Sequence, residues 1–367
     1  MAAALRWVLP ALAVLALAAG GWQLWQSPRD GRDTARGPLG AALFAEGADA
    51  PLQLLGPRVS HPSGVAQAPP RPAAAAAPAA PLARPIQAAS PQAAAAACQR
   101  LLKRLPTITA ADCAATLLAE SGAQSVLGTP IYWRDVAPVV APQMAPATAR
   151  SAEPLRVLVV GAMHGDELTS ASLALRWIAL AEAQVQGAAG RLPVHWRFIP
   201  VLNPDGLLAK KPTRVNARGV DLNRNFPTPH WDRDAPIYWD KRTRKDPRRW
   251  PGPTPLSEPE SRFLHTQMEQ FAPDLVVSIH APYGVLDYDG PLPPPSRLGQ
   301  LRLDQLGIFP GSLGHYGSVR QGMPVVTIEL QHELRMPADE QVRAMWRDLL
   351  RWMDAHLAEP PQATASP

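Results

Sequence analysis

Cysteine is scarce in this chain, with 2 residues among 367. Any disulfide framework is therefore limited to a single bond, between Cys98 and Cys113. In an exported protein an even pair of cysteines indicates first of all a disulfide that closes a short loop. We predict that bond, and two buried free thiols are the alternative.

A strong excess of charge of one sign is also lacking. Charged residues make up 18% of the chain, and the formal net charge is +5. Much of the positive surplus lies in arginines scattered over low-complexity or loop sequence, so it does not form a coherent basic face. We therefore predict no nucleic-acid partner. The chain also shows no internal repeat.

Proline, by contrast, is abundant, with 43 residues, and this abundance requires a disordered segment somewhere. Residues 26–97 are rich in Pro, Ala and Gly and poor in aromatic residues, so they cannot bury a core. We predict a disordered linker there, which as an extended spacer could reach on the order of 200 Å. A leader without any spatial role is the alternative. Residues 358–367 are predicted to be a disordered tail.

The most apolar stretch runs from Trp7 to Trp25 and follows Arg6. Its first part has the length of a signal-peptide core, and Ala16-Leu17-Ala18 resembles a cleavage site. Carried on through Trp25, the stretch is long enough to span a membrane. Residues 1–25 are thus predicted to be a signal peptide or a membrane anchor. Either one exports the chain to the periplasm or another extracytoplasmic compartment, and an uncleaved segment would tether it to the inner membrane.

Residues 98–357 are predicted to form one folded domain. Apolar runs that read as strands alternate with helical patterns, and this alternation predicts an α/β sandwich. The predicted strands are 125–134 (a hairpin arm), 155–160, 194–202, 274–280 and 324–330. The predicted helices are 98–105, 110–120, 257–271 (opened by a capping box) and 338–356. Asn203-Pro204-Asp205-Gly206 reads as a β-turn.

The central feature is the run 155–160, which is followed by Gly-Ala-Met and then by His164 and Glu167. Open α/β folds keep their sites at the carboxyl edge of the sheet, where these two side chains should lie, with Glu167 in the first turn of the next helix. One His and one Glu are two thirds of a common catalytic zinc set. Alone the pattern is weak, because a capped helix start with a solvated Glu looks the same.

Two further strand ends strengthen that pattern. The apolar run 275–280 ends in His280, which supplies a second imidazole at the same sheet edge. Glu329 stands inside the apolar run 325–330, where an unpaired buried carboxylate is costly. Such a group is tolerated where it has a function, such as a general base with a tuned pKa. The alternative is an edge-strand Glu that faces water.

Two polar segments complete the set of candidates. Residues 219–227 bring together Asp221, Asn223 and Arg224, and an Arg with a neighbouring Asn can hold a carboxylate. A surface loop with a salt bridge is the alternative. Residues 241–250 are dense in positive charge, which fits either a solvated loop or attraction to anionic wall peptides or phospholipids.

Taken in order, the motifs resemble those of the zinc carboxypeptidases of the funnelin (M14) type, and within that family the murein peptide amidase-like bacterial members. The resemblance covers about residues 125–357 and implies a three-layer sandwich with a mixed central β-sheet. It rests on His-Gly-Asp-Glu (164–167), Asn-Pro-Asp-Gly (203–206), Thr213-Arg214, Asp-Leu-Asn-Arg-Asn-Phe-Pro (221–227), Ser-Glu-Pro-Glu (257–260), Ser-Ile-His (278–280) and Thr-Ile-Glu-Leu (327–330).

The resemblance also implies a metal site. His164, Glu167 and His280 would bind one Zn²⁺ per chain, with Asp221 accepting a hydrogen bond from the His164 ring and orienting it. The zinc carboxypeptidases are hydrolases, so the chain is expected to be a metallopeptidase that acts on a peptide or muropeptide.

The remaining roles follow from the same resemblance. Glu329 would be the general base that takes a proton from water and passes it to the leaving amine. Arg214 would stabilise the oxyanion of the tetrahedral intermediate. Asn223 and Arg224 would hold the free carboxylate of the residue to be released.

The chain departs from the family in two ways. Large carboxypeptidases carry a Tyr over the substrate, and here His315 and Tyr316 occupy that region, where they either reach the substrate or shape the loop. The amidase type is intracellular, whereas the predicted export segment favours wall peptides of the γ-D-glutamyl–diaminopimelate type outside the inner membrane. An ordinary carboxypeptidase, an N-acyl amino acid deacylase of the succinylglutamate desuccinylase or aspartoacylase type, and a catalytically dead wall-binding module are the alternatives.

Overall fold

The computed structural model of the chain describes residues 85–105, 107–138, 154–187, 192–320 and 322–358. The predicted signal peptide or anchor, most of the predicted linker and nearly all of the predicted tail lie outside the described residues. Within the described residues, no helix has the length and apolar character that a membrane span requires.

The described residues form an alternation of helices and strands. The helices are α1 (Pro91–Leu101), α2 (Ala110–Ala115), α3 (Leu168–Gln186), α4 (Pro204–Leu208), α5 (Trp231–Ile237), α6 (Pro259–Phe271), α7 (Leu313–His315) and α8 (Asp339–His356). The strands are β1 (Ala119–Gln124), β2 (Pro130–Val136), β3 (Leu155–Val160), β4 (Val194–Ile199), β5 (Leu275–His280), β6 (Leu286–Asp289), β7 (Arg297–Leu298), β8 (Leu301–Arg302) and β9 (Val325–Glu329).

Seven of these strands form one mixed sheet in the order β1-β2-β4-β3-β5-β9-β6. The four central strands β4, β3, β5 and β9 are parallel, whereas β1, β2 and β6 pair antiparallel. Strands covered on both faces read as continuous apolar runs, which is why the four central strands were legible in the sequence. The mixed central sheet of the resembled family is confirmed.

Two hydrophobic layers cover the sheet. Val157 and Val159 point to the layer that contains α3 and α8, and Leu158 and Val160 point to the layer that contains α6. Successive residues of a strand alternate between the faces, so β3 contributes to both cores. The predicted α/β sandwich is therefore confirmed.

The start of the fold differs from the sequence prediction. Helix α1 begins at Pro91, inside the predicted linker, rather than at Cys98. The Ser90 side chain accepts a hydrogen bond from the Ala93 N–H, and Pro91 fits the first helical position. The predicted helix 110–120 ends early, because Leu117 has a positive φ of 51° and strand β1 starts at Ala119.

Two local predictions at helix starts were wrong. The segment predicted as a β-turn is the first turn of α4, where the Asn203 side chain accepts from the Gly206 N–H at 2.9 Å. Helix α6 was predicted correctly, but its capping box does not form. Glu258 occupies the N-cap position without a side-chain cap, and the Ser257 hydroxyl donates to Glu258 instead.

Cys98 and Cys113 form a disulfide, as predicted, which joins α1 to α2 across a sequence separation of 15. Both residues are buried in the core that also contains Leu101. The bond therefore ties the first two helices to each other beside the α3 layer.

We predict that the double variant Cys98→Ala/Cys113→Ala loses about 3 kcal/mol of unfolding free energy, because the open loop gains chain entropy when unfolded. Urea denaturation of both proteins, with and without reductant, measures the loss. Reductant should shift the midpoint of the wild-type protein and leave that of the variant unchanged. Equal midpoints for the two oxidised proteins would contradict the prediction.

Candidate metal centre and active site

The carboxyl end of β3 leads directly into the site. After Val160 the chain stays bound to the segment that follows β4, since Gly161 N–H donates to Ile199 and Asn203 N–H donates to Ala162. His164 then turns inward. Glu167 takes the N-cap position of α3, not its first turn as predicted, and its carboxylate does not cap the helix. That carboxylate is therefore available to the two histidine rings.

Two glycines hold the site motif in place. A Cβ atom on Gly165 would overlap the backbone of Gly206 and Leu207. The segment 164–167 thus packs backbone against backbone on the start of α4. This close approach explains why glycine stands both between the candidate ligands and in the Asn-Pro-Asp-Gly motif.

His164, Glu167 and His280 converge, and their ligand atoms all lie within 4.8 Å of one another. His164 Nδ1 lies 2.7 Å from Glu167 Oε1 and 3.1 Å from His280 Nδ1. His280 Nδ1 lies 3.0 Å from Glu167 Oε2. All three residues are buried. Atoms bound tetrahedrally to zinc would lie about 3.3 Å apart, so the donors are close to the spacing that a zinc ion requires.

The outer nitrogen of each ring has its own partner. His164 Nε2 lies 3.1 Å from Asp221 Oδ1, and His280 Nε2 lies 3.0 Å from the Ser278 hydroxyl oxygen. If these outer nitrogens carry the protons, the lone pairs of both Nδ1 atoms point to the common centre. The donor set therefore fits a divalent metal. Sequence reasoning missed Ser278, although it stands two residues before His280 on the same strand face.

Charge compensation around the donors is extensive. Burial alone would raise the pKa of Glu167, but His164 and His280 outweigh burial and lower it. Burial lowers the pKa of His280, which favours the neutral ring that a metal needs. Burial opposes the charge of Asp221 as well, but Arg214 and His164 hold the pKa of this carboxyl well below its usual range.

Arg214 lies beside the donor set. Its Nε donates to Asp221 Oδ2 at 3.0 Å, and its Nη1 lies 3.5 Å from Glu167 Oε1. The side chain keeps 14% of its surface exposed. One positive charge is thereby fixed next to the point where the three donors meet, with part of the guanidinium accessible from the cavity.

Glu329 is the last residue of β9 and is paired in register with His280 on β5. The sequence placed it inside an apolar strand, with an edge position facing water as the alternative. The structure instead buries it, with 7% of its surface exposed, between two neighbouring strands. Its Oε2 has no hydrogen-bond partner among the described residues. Burial, with the negative charge of Glu167, raises the pKa of Glu329 to about 8.

Asn223 and Arg224 lie in a single 3₁₀ turn, Leu222–Arg224. The Asn223 side-chain oxygen accepts from the Leu313 N–H at 2.9 Å, which anchors the turn to the start of α7. Arg224 is buried, and its guanidinium carbon lies 4.6 Å from the centre of the Phe309 ring. The turn thus brings a second positive charge to the site.

These side chains line one cavity of about 290 Å³, apart from Asp221 and Ser278, which contact the outer nitrogens of His164 and His280. The cavity also contains three carboxylates that sequence reasoning missed, from Asp287, Asp289 and Asp304. The alternation of Leu286 and Tyr288 with the two acids in β6 was a usable signal for them.

Tyr316 and His315 do not line that cavity. Tyr316 is fully buried, with its ring 5.7 Å from Phe226 and 5.4 Å from His265, so it shapes the loop rather than reaching the site. The wall segment of the cavity in this region is formed by Leu306, Gly307 and Phe309.

The basic segment 241–250 follows α5 and is largely exposed. Several of its charges form local ion pairs, such as Lys241 with Asp240 at 2.8 Å. Arg248 reaches Asp166, inside the His-Gly-Asp-Glu motif, at 2.7 Å. These contacts fit a solvated loop that rests on the rim of the site.

The family model for zinc carboxypeptidases matches residues 115–289. Murein peptide amidase A of Vibrio campbellii (strain ATCC BAA-1116) is 30% identical over 218 residues, which cover 56% of this chain and 77% of that protein. The chain belongs to the zinc carboxypeptidase family. It is therefore a metallopeptidase, a hydrolase of a zinc-dependent family.

Two further proteins are similar to this chain. Murein peptide amidase A of Escherichia coli (strain K12) is 29% identical over 240 residues, covering 62% of this chain and 88% of that protein. The crystal structure of murein-tripeptide amidase from Escherichia coli O157 is 26% identical, with a TM-score of 0.42, and covers 64% of this chain and 92% of that one. The family match includes His164, Glu167 and His280 but ends before Glu329. The inclusion of Glu329 in the candidate site therefore rests on its position in the fold.

We predict different metal contents for two site variants. Glu329→Gln should retain about one zinc per chain, because Glu329 is not one of the three donors, whereas His164→Ala should lose most of its zinc. Inductively coupled plasma mass spectrometry after dialysis measures both contents. His332→Ala, at a partly exposed histidine outside the cavity, is the control and should bind zinc like the wild-type protein. Equal zinc in His164→Ala and the wild type would rule out this site.

Proposed function

We propose that this chain hydrolyses the amide bond to a terminal residue with a free carboxylate, and that its substrate is a peptidoglycan peptide of the γ-D-glutamyl–diaminopimelate type. The observation that carries the proposal is the buried carboxylate of Glu329, whose Oε2 has no hydrogen-bond partner among the described residues and which lines the same cavity as two His and one Glu. The curated relatives named murein peptide amidase support the choice of substrate.

In this proposal His164, Glu167 and His280 hold one zinc ion. Bound zinc would supply Lewis acidity, which polarises the scissile carbonyl and lowers the pKa of water towards about 7. Asp221 and Ser278 keep the two rings oriented through their outer nitrogens. Burial of these side chains excludes bulk water and strengthens the electrostatic interactions between them.

Glu329 is the proposed general base. It takes a proton from the attacking water and then delivers it to the leaving amine. A carboxyl whose pKa is raised by burial can both gain and lose a proton near neutral pH, as this double role requires. The register with His280 keeps its carboxylate at the metal end of the cavity.

Arg214 and Arg224 have separate proposed roles. Arg214 is fixed by Asp221 beside the donor set, so its charge can stabilise the oxyanion that develops on the carbonyl oxygen. Arg224, with Asn223, binds the free carboxylate of the residue to be released, since a guanidinium and an amide provide the directed donors that a carboxylate accepts.

We also propose that the enzyme works outside the inner membrane. The apolar stretch from Trp7 to Trp25 and the disulfide between Cys98 and Cys113 support this location, since disulfides persist in oxidising compartments. Wall peptides would be met there directly.

The test is mass spectrometry of a peptidoglycan-peptide digest after incubation with purified zinc-loaded protein, with and without chelator. We expect released diaminopimelate, abolished by the chelator and reduced about 10²- to 10⁴-fold in Glu329→Gln. Glu340→Gln, the same change at an exposed carboxylate on α8, is the matched control and should stay active.

N-acyl amino acids are assayed beside the digest. Cleavage of these compounds with no release of diaminopimelate would favour the deacylase alternative. A fully active, zinc-loaded Glu329→Gln enzyme would overturn the general-base assignment. A zinc-loaded wild-type protein that cleaves neither class would leave the ordinary carboxypeptidase and the binding module as alternatives.

A further inference from the structure

Strand β6 presents two carboxylates to the cavity. Leu286 and Tyr288 pack into the hydrophobic core with α8, so Asp287 and Asp289, which alternate with them, face the opposite side of the sheet. Both acids line the same cavity as the candidate metal donors. The part of the cavity lined by Asp287 and Asp289, here called the acidic arm, therefore carries two carboxylates.

The pairing of β6 with β9 fixes how far this acidic arm lies from the reacting groups. Asp287 is opposite Thr327, and Asp289 is opposite Val325. Glu329 stands two residues beyond Thr327 on the same face of β9, so Asp287 is displaced from the proposed base by about 7 Å along the strand. Asp289 lies the same distance further along β9, opposite Val325, so both acids lie on the face of the proposed base at increasing distance from it.

Neither acid forms an ion pair with a positive side chain in the part of the chain that the structure describes. Asp287 is 7% exposed, and its Oδ1 accepts from the N–H groups of Tyr288 and Leu306. Among the described residues, its Oδ2 accepts no hydrogen bond, and the Asp289 carboxylate has neither a hydrogen bond nor an ion pair. Burial, together with the charge of Asp287, raises the pKa of Asp289 to about 7. Asp287 is buried and Asp289 is half-buried. Carboxylates withdrawn from water without a cation are unfavourable, so we expect these two to serve a ligand.

A glycine makes room for one of these carboxylates. A Cβ atom on Gly314 would overlap Asp289 Oδ2, so any side chain there would displace the carboxylate. The preceding residue, Leu313, donates its N–H to Asn223. The same short segment therefore contacts the proposed carboxylate clamp on one side and the acidic arm on the other.

We propose that Asp287 and Asp289, with Asp304 at the exposed rim, bind an ammonium group at the far end of the side chain of the released residue. Arg224 and Asn223 would hold that residue by its α-carboxylate, and the acidic arm would hold it by its ammonium. The enzyme then selects lysine-like and diaminopimelate-like residues over neutral ones of equal length. This selection rests on the proposed function, because it assumes that the released residue occupies the cavity.

The experiment compares two matched substrates, γ-D-glutamyl-L-lysine and γ-D-glutamyl-L-norleucine, with the zinc-loaded enzyme. Norleucine has the carbon chain of lysine without the ammonium group. We expect kcat/KM to favour lysine by about ten- to hundredfold, the value of a charged hydrogen bond. Asp287→Asn and Asp289→Asn should lower that preference several-fold while cleavage of the norleucine peptide is retained.

Two further variants separate charge from structure. Gly314→Ala keeps both acids but displaces the Asp289 carboxylate, and it should also weaken the preference for lysine. Asp354→Asn, at an exposed acid on α8 outside the cavity, is the control and should keep the full preference. Thermal melting of each variant shows whether it is folded. Isothermal titration of free lysine and free norleucine into zinc-loaded Glu329→Gln measures the preference without turnover.

Equal kcat/KM values for the two peptides in the wild-type enzyme would overturn the proposal, as would acid variants that lower both equally. Failure of the proposed function looks different, because neither γ-D-glutamyl peptide would then be cleaved. The α-linked pair hippuryl-L-lysine and hippuryl-L-norleucine and the titration still report the preference in that case. The acidic-arm proposal stands if either shows it, and falls with the function if neither does.

Discussion

The structure depends on the burial of three candidate metal-ligand side chains at one point. His164 and His280 leave the ends of two neighbouring parallel strands, and Glu167 precedes the helix that follows the first of them. Burying these groups together is costly unless each is compensated. Asp221, Ser278 and Arg214 contribute part of that compensation through the outer ring nitrogens and the carboxylates. The short distances between the donor atoms are consistent with a cation holding them together.

Strand pairing links this point to the rest of the cavity. Strand β9 lies beside β5, so Glu329 is level with His280, and β6 lies beside β9, so its two acids continue along the same face. The candidate metal donors, the proposed base and the two acids of β6 therefore follow one another along one face of a single sheet. A substrate lying along that face would be hydrolysed beside the candidate metal donors and Glu329, and it would be recognised by Asp287 and Asp289.

Much of this arrangement could be read from the sequence. The central strands are buried on both faces and appear as uninterrupted apolar runs, so the sheet edge and its two histidines were legible. The position of Glu167 was harder, because the boundary between a loop and a helix start depends on backbone contacts such as those of Gly165 with Gly206. Helix α1 was missed at its start because an alanine run beside proline reads as low complexity. Strand β6 was missed because it has only 4 residues, although the alternation of Leu286 and Tyr288 with two acids was a signal for it.

The measurement that tests the central claim most directly is anomalous diffraction at the zinc absorption edge, from crystals of the zinc-loaded protein. The account predicts one strong peak, within bonding distance of His164 Nδ1, His280 Nδ1 and the Glu167 carboxylate, with the Glu329 carboxylate facing it without coordinating. A peak elsewhere, no peak between these three side chains, or Glu329 as a direct ligand would contradict it.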